Sequence, residues 1–173
     1  MWFIVYLGFI LGIEIITKIQ IYIFNSTNTQ SIYPLYVAGE FFFLLQVFLE
    51  ALKAIRKYFI LITIVTFCIF VEALILLFIN NDASTGYGKI FSHLTIVCLS
   101  AFTLIKNLKN IEMANPFLIV YAALFLYYSA SIFLFLLMNQ LTNTTITIWS
   151  MNNVLASILY GCSLYSFYRL KKL

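Results

Sequence analysis

Only a handful of residues in this chain could do chemistry where they stand. Glu14, Lys18, Glu40, Glu72 and His93 are ionisable groups set inside long apolar runs. If those runs cross a bilayer, each such group costs about 2.5–3.5 kcal/mol on insertion scales, so it marks either a function or a pairing. Glu14 and Lys18 stand one helical turn apart with the acid nearer the amino end, the favoured order for an ion pair within a helix. In the same stretch Gly8 and Gly12 form a GxxxG pattern, which lets another helix approach closely, either inside the bundle or in a homodimer.

Glu40, Glu72 and His93 fall at similar depth once the topology is drawn, each within about two turns of the same end of its helix. The last apolar stretch adds Trp149, Asn152 and Asn153 at that depth, and the fifth supplies Tyr128 near its middle. Together these residues could line one cavity, with carboxylates and amides fixing a ligand's polar groups and aromatic rings giving contact area. The competing account is a hydrogen-bonded layer that locks helices together, because polar groups in lipid seek partners.

The elements that must position these residues follow from composition. Of 173 residues, 64% are hydrophobic and 9% charged, with a mean hydropathy of +1.02. Soluble domains carry about 25% charged residues, so too little polar surface exists here to face water on all sides. Lipid is the remaining solvent, and the reading is all-α: a single integral membrane domain, 1–173, built as a polytopic bundle of about six transmembrane helices. The expected spans are 2–24, 35–52, 58–79, 90–105, 117–138 and 146–167, each near the 20 apolar residues a bilayer requires, with the fourth the shortest. The first has no basic segment before it and no small-residue cleavage site after it, so it reads as a retained span.

Lys53, Arg56 and Lys57 lie between the second and third spans, Lys106 and Lys109 between the fourth and fifth, and Arg169, Lys171 and Lys172 after the sixth. The opposite loops hold Lys89 as their one basic residue, which places both termini in the cytoplasm. Pro34 and Pro116 lead the second and fifth spans, in corresponding halves, as a three-plus-three inverted repeat would have them. No other internal similarity accompanies them.

The net charge of +4 sits in short clusters at span ends rather than in a basic groove, so nucleic acid is not an expected partner. Cys68, Cys98 and Cys162 lie in apolar runs at no metal-ligand spacing and read as small buried hydrophobes, with no metal and no cofactor expected. No HExxH, GxSxG or phosphate-loop pattern occurs and no catalytic residue is assigned, which disfavours an enzyme.

The run Tyr36-Val37-Ala38-Gly39-Glu40-Phe41-Phe42-Phe43-Leu44-Leu45, then Asn115-Pro116-Phe117 leading to Tyr127-Tyr128-Ser129, then Ile148-Trp149 with Asn152-Asn153, resembles a group of small polytopic inner-membrane proteins of Bacteroidetes-type bacteria. The resemblance covers most of the chain and implies a bacterial inner membrane, with Glu40 and Trp149 as positions of interest. Longer members of that group carry an extra amino-terminal helix, and the group has no assigned activity to carry over. The expectation is therefore a non-enzymatic membrane component that senses a small or lipidic ligand from the outer side and passes a signal to a protein partner or a second copy. The alternatives are a small transporter or channel subunit, in which Glu40 and Glu72 carry protons or bind a cation, and a scaffold subunit of a larger membrane assembly.

Overall fold

The computed structural model describes residues 2–25, 29–53, 57–83, 86–109, 116–138 and 145–171, and for residues 57, 137, 138 and 145–149 the backbone alone. The described residues are 92% helical and contain no strand. Hydrocarbon offers no partner for a bare N–H or C=O, and a helix is the one open-ended element that satisfies its own. The described residues form six α-helices, α1 Trp2–Tyr22, α2 Tyr33–Leu52, α3 Lys57–Asn80, α4 Tyr87–Lys109, α5 Leu118–Met138 and α6 Thr145–Leu170, with a 3-10 turn, Gln30–Ile32, ahead of α2.

Five of the helical stretches are long and apolar enough to cross a bilayer: Trp2–Tyr22, Gln30–Leu52, Tyr58–Asn80, Tyr87–Lys109 and Leu118–Leu136. At 1.5 Å per residue each covers roughly 30 Å, the hydrocarbon thickness. The helix α6 is the longest at 26 residues, but Ser150, Asn152, Asn153 and Ser157 interrupt its apolar run, and it is not among the five. The fourth helix runs 23 residues and starts at Tyr87, well before the expected boundary at residue 90.

Local rules set the ends. Pro34 stands in the first turn of α2, where no intrahelical N–H is needed, and Lys53 closes that helix in the left-handed conformation with its amide donating to the carbonyls of Leu49 and Glu50. Asn81, directly after α3, is also in the left-handed conformation, at φ 53°.

The chain divides into two compact units, Met1–Ser92 and His93–Leu173, with the division falling inside α4. In the first, α2 is the central element and packs on both α1 and α3. Its buried residues, among them the consecutive Leu44, Leu45, Gln46 and Val47, therefore cover more than one face. Phe9 and Phe43 meet at 5.0 Å between ring centroids, and Phe42 meets Phe59 edge-on at 5.9 Å. The Trp2 amide donates to Glu50 Oε2 at 3.2 Å, so an acid at the far end of α2 caps the start of α1. In the second unit α5 packs along α6. Val120, Leu124, Tyr128, Leu159, Ser163 and Ser166 are buried there, and Phe117 meets Phe167 edge-on at 6.0 Å.

Large apolar side chains such as Phe67, Phe78, Ile79 and Leu164 stand on the outer surfaces of these helices, as lipid-facing residues should. Cys68 and Cys98 are among the exposed residues and Cys162 is half-buried, all three as free thiols. This corrects the expectation that the cysteines are buried: in a span the lipid-facing side is as apolar as the core, so an apolar setting does not imply burial.

Gly39 lets α1 approach α2, since a Cβ there would fall within the van der Waals surface of the Phe9 ring. Replacing Gly39 with Val should therefore destabilise the first unit by about 1–3 kcal/mol through overpacking, read as a lower unfolding temperature in detergent. Gly161→Ala, where nothing lies within 4 Å of the added carbon, should cause no loss.

Candidate functional site

The α4 helix begins with Tyr87, and its first amides have no partner in their own helix. Glu72 of α3 supplies one: its Oε1 accepts the Tyr87 N–H at 2.9 Å. A carboxylate at a helix amino end is also favoured by the aligned peptide dipoles. Glycines make room for it, because a Cβ at Gly88 would collide with the Glu72 carboxylate and one at Gly86 would sit 3.2 Å from Glu72 Oε1. The sequence Gly86-Tyr87-Gly88, which reads as a turn, is thus the first turn of a capped helix.

One residue on, Lys89 projects from α4 with its ammonium 5.4 Å from the centroid of the Tyr33 ring, within cation–π range. Glu40 of α2 is its electrostatic partner. Glu40 is only 3% exposed, and one turn before it Tyr36 donates its hydroxyl to Glu40 Oε1 at 3.1 Å. Tyr33, whose hydroxyl is buried with no hydrogen-bond partner among the described residues, feels both Glu40 and Asp82. The first unit thus gathers three carboxylates, Glu40, Glu72 and Asp82, with an ammonium and two phenols where α2, the end of α3 and the start of α4 meet. The cavity among Tyr33, Glu72, Gly86, Gly88 and Lys89 holds about 10 Å³, the space of one water molecule. Small-molecule sites run to about 300–1,000 Å³.

Of the residues singled out in the sequence, Glu40 and Glu72 therefore stand in this polar layer. His93 and Tyr128 come together in the second unit, 4% and 0% exposed, with ring centroids 5.0 Å apart and planes at 78°. Tyr127 packs on Tyr128 in the same edge-on manner at 4.9 Å. Further along α4 the buried hydroxyls turn back on their own helix: Ser100 donates to the Val97 carbonyl at 2.9 Å and Thr103 to that of Leu99 at 2.7 Å. Their polar atoms are satisfied, and what they offer a neighbour is small size. On α6, Asn152 is half-buried and Asn153 exposed. The Trp149 side chain lies outside the described residues.

A larger space opens between α5 and α6, a groove of about 370 Å³ lined by Ala130, Phe133, Leu134, Ser150, Met151, Val154 and Leu155. Neither polar group contributes to it. On α1, Gly8 and Gly12 have nothing within 4 Å of an added Cβ, and Glu14 and Lys18 are both exposed. Among the described residues no group of three or more His, Cys, Asp and Glu could hold a metal ion.

Sequence reasoning passed over Lys89, Tyr33 and Tyr36. Tyr36 was legible, since it stands one turn before Glu40. Lys89 carried a signal too, as the lone basic residue on loops otherwise free of them, but its acidic partner is far off in sequence. The layer makes a specific demand: Lys89→Met should leave Glu40 buried without its counter-charge and destabilise the protein by about 3–5 kcal/mol. The double variant Glu40→Gln with Lys89→Met should recover most of that loss in the same detergent unfolding measurement.

Compared with known proteins, the chain matches no family model, and no curated protein and no solved structure is similar to it.

Proposed function

We propose that this chain is a non-enzymatic component of a bacterial inner membrane, with both termini cytoplasmic, that takes the apolar part of a lipidic ligand between α5 and α6 and passes its occupancy to a protein partner. The observation that carries this reading is the α5–α6 groove. Its volume of about 370 Å³ falls within the range of small-molecule sites, whereas the polar layer has room for one water. Ser150 is the one lining residue with a hydroxyl, so the occupant is a hydrocarbon chain rather than a polar metabolite. The distribution of lysine and arginine puts Ser150 and Met151 at the outer end of α6, open to the outer leaflet.

A second reading, a scaffold subunit, draws support from the closed polar layer, which joins α2, α3 and α4 and leaves no ligand space. Transport on intramembrane carboxylates has less support: Glu40 is held by Tyr36 and Lys89, and Glu72 by the Tyr87 amide.

Native mass spectrometry of protein released from mild detergent tests the groove. The wild type should retain a co-purifying lipid, and Ala130→Trp, which fills the groove, should weaken that retention about tenfold, the loss of roughly 1.4 kcal/mol. Phe78→Trp, on a side chain 81% exposed elsewhere, should leave it unchanged. Equal retention by the Ala130 variant would overturn the reading in favour of a scaffold.

A further inference from the structure

We infer that the polar layer of the first unit is a binding site for one water molecule, which joins Tyr33, Glu72 and Lys89 into a single hydrogen-bonded network. The site is the cavity of about 10 Å³ whose wall includes these three side chains with Ala73, Gly86 and Gly88. That volume admits one water and nothing larger, and a water is held where it meets two to four polar partners. Tyr33 begins α2, Glu72 stands on α3 and Lys89 in the first turn of α4, so the partners come from three helices.

Each of them has a group to offer. The Tyr33 hydroxyl is buried, and among the described residues no hydrogen-bond partner reaches it. Glu72 gives its Oε1 to the Tyr87 amide, while its Oε2 lies against the open side of Gly88, at the wall of the same cavity. Lys89 has three N–H donors to distribute, and its ammonium is 5.4 Å from the Tyr33 ring centroid.

Donors and acceptors balance around a water. The Tyr33 hydroxyl and the Lys89 ammonium each donate to its oxygen, and one of its own O–H groups donates to Glu72 Oε2. Left dry, the phenol would bear the full desolvation penalty of a buried donor without an acceptor. Cavities that stay dry are lined by hydrocarbon, whereas this wall carries a carboxylate, an ammonium and a phenol. Two glycines keep the space open: a Cβ at Gly88 would collide with the Glu72 carboxylate, and one at Gly86 would come within 2.7 Å of Leu76 Cδ1. The water therefore links the Glu40–Lys89 pair to the Glu72 cap, and α3 is tied to α2 through it. This site shares no residue with the α5–α6 groove, so the two stand or fall separately.

A structure of the full chain in lipid, at a resolution that shows ordered solvent, should place a water about 3 Å from Tyr33 Oη, Glu72 Oε2 and Lys89 Nζ. Unfolding in detergent gives an independent reading. Tyr33→Phe and Glu72→Gln, made singly and together, should be coupled about tenfold in the unfolding constant, although the two side chains share no direct hydrogen bond. Ala73→Ser and Ala73→Cys each add one atom to the cavity wall, and only the hydroxyl can stand in for the water. The Ser variant should therefore unfold with a constant about tenfold lower than the Cys variant. No solvent peak beside the three atoms, strictly additive effects of Tyr33→Phe and Glu72→Gln, or a Cys variant at least as stable as the Ser variant, as filling a dry void would give, would overturn the proposal.

Discussion

Hydrocarbon accepts no hydrogen bonds, and most of the polar side chains described inside the spans are placed under that constraint. Helices answer it for the backbone. The side chains answer it one at a time: Ser100 and Thr103 bond back to their own helix, Glu72 takes the first amide of α4, and Glu40 sits beside Tyr36 and Lys89. Such satisfaction is not a large source of stability, because a buried ion pair roughly offsets its own desolvation. Its effect is on specificity. Lys89 has its acid in one arrangement of α2 against α4, and a slip of one helix by a turn would move about 5.4 Å between the charges.

Much of the architecture was legible from hydropathy. Six apolar runs became six helices because the period of a span hardly matters when both core and surroundings are apolar. Where the reading slipped, tertiary contacts had decided. Residues Gly86 to Lys89 look like a loop, since two glycines and a lysine argue against helix. Yet the glycines clear space for the Glu72 carboxylate, and the lysine is met by Glu40. The exposed cysteines slipped for the opposite reason: sequence separates apolar from polar, but not lipid-facing from core-facing.

The candidate site shows the same limit. Glu40, Glu72 and His93 stood out as polar groups at depth, and all three are engaged by neighbours. That they divide between a carboxylate–lysine layer in one unit and an imidazole–phenol stack in the other was not legible, because depth along a helix is encoded in sequence and angle around it only weakly. The α5–α6 groove escaped notice altogether. It is a gap between ordinary residues, Ala130 and Val154 among them, and no residue type announces a gap.

The Glu72 cap also bears on biosynthesis. Its acid leaves the ribosome ahead of the glycines and the amide that it will meet, so α3 reaches the insertion channel carrying a bare carboxylate. Release of α3 alone into the bilayer would incur the full desolvation penalty. Entry of α3 and α4 together, as a hairpin in which Glu72 already meets the Tyr87 amide, would avoid that cost.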